Sequence, residues 1–482
     1  MKILFVASEL YPLVKTGGLA DVAGSLPKAL TELGKDVRVL LPAYQAVKEK
    51  LPDARPVAEL TVLDQPVRLL ADTVPGTETP IWLLDAPLWF DRPGNPYLTL
   101  EGEPWPDNDV RFGALCQAGL AIACGRAGLD WRPDVVHCND WQTGLIPALL
   151  SLEPQRPASV FTIHNLAYQG VFPAESVERL QLPKVLWHPE GLEFHHQLSF
   201  IKGGIVYADR VNTVSPTYAR EIQTPRFGCG LEGVLKARAD RLSGILNGID
   251  TDKWNPATDP LLPRNYDADH LEAKQANKQA LQAHFGLPRE DIVPLFAFIG
   301  RLVSQKGVDL ILKALPGLLQ YPVQFVFLGS GDSDYEHSLL YWSRRQPDKV
   351  AVHIGYDEAL SHRIEAGADL FLMPSRFEPC GLNQMYSQRY GTLPIVHRTG
   401  GLADTVTDAL PSQLDQATGL SFAHPEAGAL EEAVKRGWLL YGQPDLWRRL
   451  QRNAMARDFS WRRSAKAYCQ LYRQAMHDRN RS

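Results

Sequence analysis

At 482 residues the chain has room for two or three domains and a sizeable core, and its 45% hydrophobic, 22% charged composition is that of an ordinary globular protein. A net charge of −5 argues against a general nucleic-acid footprint while leaving room for a local basic pocket. The six cysteines include no C-x-x-C pair, so neither a zinc site nor a disulfide framework is indicated; no run of about 18 apolar residues predicts a membrane span, and a cytoplasmic location is the simplest expectation.

The chain opens on an apolar run, Ile3-Leu4-Phe5-Val6-Ala7, too short for a signal peptide and followed by Glu9 and Pro12. A glycine loop, Lys15-Thr16-Gly17-Gly18-Leu19, separates this strand from a helical run over 20–33. Strand, glycine loop and helix is the order that brings backbone N–H groups to a phosphate, with the lysine as a mobile charge. A second strand is expected over 37–42, and short apolar runs over 56–86 suggest paired strands. The stretch 91–109, rich in Pro, Gly, Asn and Asp, reads as a long loop before a helix over about 110–125. Three more apolar strands end in polar residues. These are 134–138 before Asn139-Asp140-Trp141, 159–163 before His164-Asn165, and 210–215. Polar groups at the carboxyl ends of such strands mark the ligand edge of an open α/β sheet, although each singly could cap the next helix.

Residues 255–270, rich in Pro and Asp, suggest a surface connector, and a helix over about 271–285 follows. A second series of strands is expected over 294–299, 323–328, 350–354 and 370–373. They end in Gly300-Arg301, Gly329-Ser330-Gly331, Gly355-Tyr356 and Pro374-Ser375. Apolar strands alternating with helices predict parallel sheets covered on both faces, and the switch near 245–260 predicts two such domains. The tail is helical to about residue 478, and its Trp461, Tyr468, Leu471 and Tyr472 suggest that it docks on a domain.

Four stretches could carry chemistry. The Lys15 loop is one, although a plain glycine turn with an exposed lysine has the same letters. Arg301 and Lys306, five residues apart beyond a strand, could converge on one diphosphate or begin a solvated helix. Glu378 in Phe377-Glu378-Pro379-Cys380-Gly381 is a carboxylate in an apolar setting, costly unless paired or functional. Thr399-Gly400-Gly401-Leu402 repeats the first glycine loop after the apolar run 393–396. D-x-D triplets at 107–109, 250–252, 267–269 and 332–334 have the form that metal-dependent sugar transferases use, but four in unrelated contexts read as chance loops. No metal site and no cofactor is assigned.

The sequence resembles the glycogen/starch synthase family over essentially its whole length. The resemblance is carried by Ser8-Glu9, Pro12, the Lys15–Leu19 loop with Asp21 and Val22, Asp107-Asn108 with Arg111-Phe112, and His137 with Asp140-Trp141. It continues in Thr162-Ile163-His164-Asn165, Asn247-Gly248-Ile249-Asp250, Gly300-Arg301-Leu302 with Gln305-Lys306-Gly307, and Glu378-Pro379-Cys380-Gly381-Leu382. It implies two Rossmann-like α/β domains with parallel sheets facing a cleft, the GT-B arrangement. These would span 1–245 on the acceptor side and 246–458 on the nucleotide-sugar side, with 459–482 packing back on the N-terminal domain. The implied donor is ADP-glucose and the acceptor the non-reducing end of an α-1,4-glucan, with retention of configuration and no nucleic-acid or membrane partner. By the family pattern Lys15, Arg301 and Lys306 hold the diphosphate, with backbone N–H groups of Gly18, Thr399, Gly400 and Gly401. His164, Asn247 and Glu378 contact the donor glucose, with Asp140 and Trp141 close by. Tyr356 stacks on the adenine and Tyr97 touches the acceptor. Asp21, Cys380, Gly381 and Leu382 complete the substrate-binding set.

Breaking a glucosyl–phosphate bond builds negative charge on the diphosphate, and three cations with loop amides can take the place of a metal ion there. Retention could come from a covalent intermediate on Glu378 or from attack on the face of departure. The family places Glu378 against sugar hydroxyls, so same-face attack is expected. A transferase of the same fold using UDP-glucose or another acceptor remains an alternative, as does a non-catalytic glucan-binding protein. The joint presence of Lys15, His164, Arg301, Lys306 and Glu378 argues against the latter. A glucan phosphorylase would need a lysine-linked pyridoxal phosphate and a much longer chain.

Overall fold

The first apolar run forms the strand Lys2–Val6, in the middle of a nine-stranded sheet. The structure, a computed structural model, describes residues 1–481 and divides into two units. One is Met1–Gly248 with the chain from Trp461 onward, and the other is Ile249–Ser460. No described helix is long and apolar enough to cross a membrane.

In the first unit the strands lie in the order Leu242–Gly244, Arg210–Thr213, Ala158–Ile163, Val135–Asn139, Lys2–Val6, Asp36–Pro42, Pro80–Asp85, Gln65–Thr73 and Arg55–Val62. The first seven are parallel, and the runs over 56–86 form the antiparallel edge. Strand order reverses between Lys2–Val6 and Val135–Asn139, and such a reversal opens a crevice at the carboxyl ends of the two strands. The helix Gly18–Glu32 starts two residues before the expected run over 20–33, with Gly17 as an extended N-cap, and buries Leu19, Val22, Ala23, Leu26, Ala29 and Leu30 at helical spacing. Helix Trp461–Arg479 packs against it and buries Trp461, Tyr468, Leu471 and Tyr472. The Tyr472 hydroxyl is 2.8 Å from His137 Nδ1, and the Tyr468 hydroxyl accepts from Asn212 Nδ2 at 3.0 Å. A polar layer buried between sheet and helix fixes the helix register, because a slip would leave these groups unpaired. A cavity of about 700 Å³ lies at the opposite edge of this sheet, lined by Ala123, Ser151 and Arg479, the ends of three helices. Arg132 and Arg156 also line it, and the Arg156 guanidinium pairs with Asp209 at 2.7 and 2.8 Å.

The hairpin Glu193–Phe194 to Gln197–Ser199 turns on His195 and His196, with φ of 49° and 63°. Both central residues of such a two-residue turn need positive φ, which Asn-Gly adopts at least cost. Replacing His195-His196 by Asn-Gly is expected to stabilise the protein by about 1 kcal/mol and raise the thermal midpoint by about 2 °C. A midpoint that falls would contradict the strain assigned to this turn.

The second unit holds a wholly parallel six-stranded sheet in the order Val350–Ile354, Gln324–Gly329, Leu295–Ile299, Leu370–Met373, Leu393–His397 and Leu420–Phe422. Its order reverses between Leu295–Ile299 and Leu370–Met373. Apolar clusters cover both faces, one around Phe296, Phe325 and Leu393, the other around Leu295, Val326 and Phe371. Residues 255–270 form the expected connector, mostly exposed, but it is anchored by a few buried side chains. Leu262 and Tyr266 are buried with Trp254, Ala366, Tyr390 and Met455. The Asp259 carboxylate accepts from the Tyr390 hydroxyl at 2.6 Å and lies 2.6 Å from His362 Nδ1, while Trp254 is sandwiched between His362 and Tyr386 at 3.8 Å each. Composition misses these anchors because their partners lie about a hundred residues further on.

Candidate active site

In the first unit the sheet edge gathers Glu9, Lys15, Asp140 and His164 from loops after three neighbouring strands. The carboxylate of Glu9 is 3% exposed. It accepts from Thr16 N at 2.5 Å, Thr16 Oγ1 at 2.6 Å, Gly17 N at 3.2 Å and the Tyr97 hydroxyl at 2.6 Å. The first two amides of the glycine loop are thus filled from within, and the Gly18 amide is the first of the unpaired N–H groups of its helix. The Lys15 ammonium is half-exposed and pairs with Asp21 at 2.7 and 2.8 Å. Tyr97, the expected acceptor contact, is half-buried. Its hydroxyl is turned inward to Glu9 and to Ser8 Oγ, 2.8 Å away.

Asp140 has a φ of 59° and ψ of 180°, a conformation costing a non-glycine residue about 1–3 kcal/mol. Its Oδ1 accepts from the His164 backbone N–H at 2.7 Å, and burial pushes its carboxyl up to about 7 against two backbone hydrogen bonds that oppose the shift. The His164 imidazole is brought down to about 3 by burial and is neutral. Asn139 donates from Nδ2 to Val6 O at 3.0 Å, so its Oδ1 receives His164 Nε2–H at 3.0 Å and leaves Nδ1 as an acceptor. Trp141 is boxed by Phe112, Phe172 and Phe200, and a Cβ on Gly170 would stand 2.2 Å from its ring; it braces the turn after Asp140 instead of facing out. Asn247 is buried, and its Oδ1 has no partner among the described residues, a rare condition for a buried acceptor.

In the second unit Arg301 follows the central strand, is exposed, and makes no side-chain hydrogen bond or ion pair among the described residues. Lys306 Nζ donates to Glu378 Oε2 at 2.6 Å, and Ser375 Oγ donates to the same oxygen at 3.0 Å. The residue Glu378 is 8% exposed. Its loop is laced to the Arg301 loop by Gln305 Nε2 to Phe377 O at 2.5 Å and by the two-pronged pair of Arg376 with Asp309 at 2.7 Å. In the second glycine loop two of the three amides expected to face a phosphate donate within the chain. Thr399 N–H donates to His397 O at 2.9 Å, and Gly401 N–H to Glu378 O at 3.1 Å and Pro379 O at 3.2 Å. A Cβ on Gly400 would lie 1.9 Å from Glu378 O and one on Gly401 2.0 Å from Cys380 O. These glycines therefore seat the backbone of residues 378–380, a loop that Gln384 also holds through Cys380 O at 2.9 Å and Gly381 O at 3.2 Å; Leu382 N-caps the helix Asn383–Arg389 that carries Gln384. Tyr356, 83% exposed, stands beyond the edge strand after Gly355. The supporting roles of Glu9, Asn139 and Ser375 escape sequence reasoning. All three leave only the trace of a polar residue beyond an apolar strand.

Two family models match the chain: the starch synthase catalytic domain over residues 2–237 and glycosyl transferases group 1 over 282–455. "Glycogen synthase 1" of Methylococcus capsulatus is 58% identical over 99% of this chain and 97% of its own length. Glycogen synthase of Thioalkalivibrio sulfidiphilus is 54% identical, covering 98% and 99%. Among solved structures, the catalytic domain of starch synthase IV from Arabidopsis thaliana bound to ADP and acarbose superposes with a TM-score of 0.85 at 34% identity, covering 98% of this chain and 99% of that one.

Proposed function

This chain belongs to the glycogen synthase family, and we propose that it transfers glucose from ADP-glucose to the non-reducing end of an α-1,4-glucan with retention of configuration. The observation that carries this reading is Arg301, without a side-chain partner among the described residues and just beyond the strand at the switch point of its sheet, in the loop that also supplies Lys306, the partner of buried Glu378. A cation left unneutralised at a ligand edge supports the binding of an anion, and the leaving diphosphate is the anion this chemistry creates. In this reading Lys15, Arg301 and Lys306 neutralise the diphosphate with the Gly18 amide, and Tyr356 stacks on the adenine. Asn247 Oδ1 and the His164 side chain meet sugar hydroxyls.

Glu378 Oε2 already accepts from an ammonium and a hydroxyl, which lowers its nucleophilicity and suits a group that stabilises a cationic sugar. This supports same-face attack. The C1–phosphate bond breaks, the acceptor oxygen bonds C1 from the same side, and a phosphate oxygen takes the acceptor proton. Radiolabel incorporation into glycogen from ADP-glucose against UDP-glucose tests the reading, with ADP-glucose expected to dominate. Preference for UDP-glucose, or no incorporation from either, overturns it.

Five of the eight D-x-D carboxylates are engaged in other ways. Asp107 pairs with Arg92 at 2.7 Å, and Asp109 with Arg179 at 2.9 Å. Asp250, Asp267 and Asp332 each accept from the backbone N–H two residues on. Chelator is accordingly expected to leave the initial rate unchanged, and a strict divalent-ion requirement would reverse the metal-free reading.

A further inference from the structure

We propose that Glu9 is a positioning residue whose single buried carboxylate ties the Lys15 loop to the hairpin rooted at Tyr97, so that the two loops keep one geometry. The proposal rests on the reading of Lys15 as a diphosphate cation. Each oxygen of Glu9 serves two donors. Oε1 takes the Thr16 and Tyr97 hydroxyls, and Oε2 takes the Thr16 and Gly17 amides. The Tyr97 end is equally fixed. Trp105 N–H donates to Tyr97 O at 3.1 Å, Thr99 N–H to Glu103 O at 2.7 Å, and Asn108 Nδ2 to Tyr97 O at 3.0 Å. Buried Arg111 holds Pro96 O at 2.9 Å.

A neutral side chain could staple two loops, and a buried charge without an ionic partner is costly. What a carboxylate adds is occupancy of the amides that an incoming phosphate would otherwise use. With Thr16 and Gly17 closed by an internal anion, the loop is formed before substrate arrives, Gly18 becomes the first open amide, and Lys15 is held outside beside Asp21. Glutamine at position 9 would turn an NH₂ group toward donors and break this arrangement at nearly constant volume.

A double-mutant cycle tests the proposal. kcat and KM for ADP-glucose and for glycogen are measured for wild type, Glu9→Gln, Lys15→Ala and the double variant, with thermal midpoints. Glu9→Gln is expected to lower kcat about 30- to 100-fold with little change in KM for ADP-glucose, as a displaced contact does. The double variant is expected to fall no more than about threefold below Lys15→Ala, because Glu9 acts through Lys15. Tyr97→Phe, which removes one donor, is expected to lose about tenfold and to be non-additive with Glu9→Gln. If Glu9→Gln does not fold, the cycle is run with Tyr97→Phe and Lys15→Ala. A full loss in Lys15→Ala combined with multiplicative losses in the double variant overturns the Glu9 proposal alone, as do activity losses that track the thermal midpoint. Lys15→Ala within about threefold of wild type overturns the reading of Lys15 and, with it, the purpose assigned to Glu9.

Discussion

Glu378→Ala is expected to abolish glucosyl transfer, a loss of at least about 1000-fold, with the fold intact. Glu378 is buried at the switch point of the second sheet, and Lys306, Ser375 and the Gly401 amide all fix it in place. A group held this firmly needs no reorganisation as positive charge grows on the sugar, so its removal is felt in the transition state. Stability should change little, because the Lys306 side chain is 23% exposed and its ammonium can turn to water once its partner is gone. Glu378→Gln separates charge from shape. It keeps an oxygen toward Ser375 but loses the negative charge, and a residual rate about 10- to 100-fold above that of alanine is expected. Initial rates of radiolabel transfer with circular-dichroism melts decide this. An active alanine variant would remove Glu378 from the chemistry. Revival of that variant by azide with inverted product would replace same-face attack by a covalent intermediate.

The strands were legible because apolar runs such as 135–138 and 370–373 are buried on both faces and end abruptly in polar residues. The same rule located Arg301, His164 and Asp140, which follow directly from strand ends. Illegible were the contacts that close over distance. The loop Thr399–Gly401 has the letters of a phosphate cradle, yet its glycines exist so that two backbones can touch, and only the position of Glu378 O reveals it. The Lys15 loop has the letters of an anion site, but two of its amides are taken by Glu9, a residue of the same chain. The buried aromatics of 254–266 were hidden by the prolines and aspartates around them, since composition averages over a segment while burial is decided residue by residue. Tautomers and orphan acceptors, such as His164 Nδ1 and Asn247 Oδ1, follow only from the hydrogen-bond network around them.

Arg301→Ala is expected to lower kcat/KM about 100- to 1000-fold, roughly 3–4 kcal/mol of transition-state stabilisation. Its guanidinium has no partner to lose among the described residues, so the fold should be indifferent and the whole effect should appear in catalysis. Arg301→Lys keeps the charge but not the planar fork, and recovery of about tenfold over alanine is expected. Lys15→Ala should cost a similar amount with a different signature. Lys15 is paired to Asp21, so its removal leaves that carboxylate facing the incoming anion, and adding Asp21→Asn should restore part of the loss. Kinetics with ADP-glucose at saturating glycogen, with salt held constant, measure all four variants. If both alanine variants stayed within about threefold of wild type, the departing charge would be left to Lys306 alone. That ammonium lies 2.6 Å from Glu378 and shares its charge with it, so this one cation could not carry the departing diphosphate without a metal.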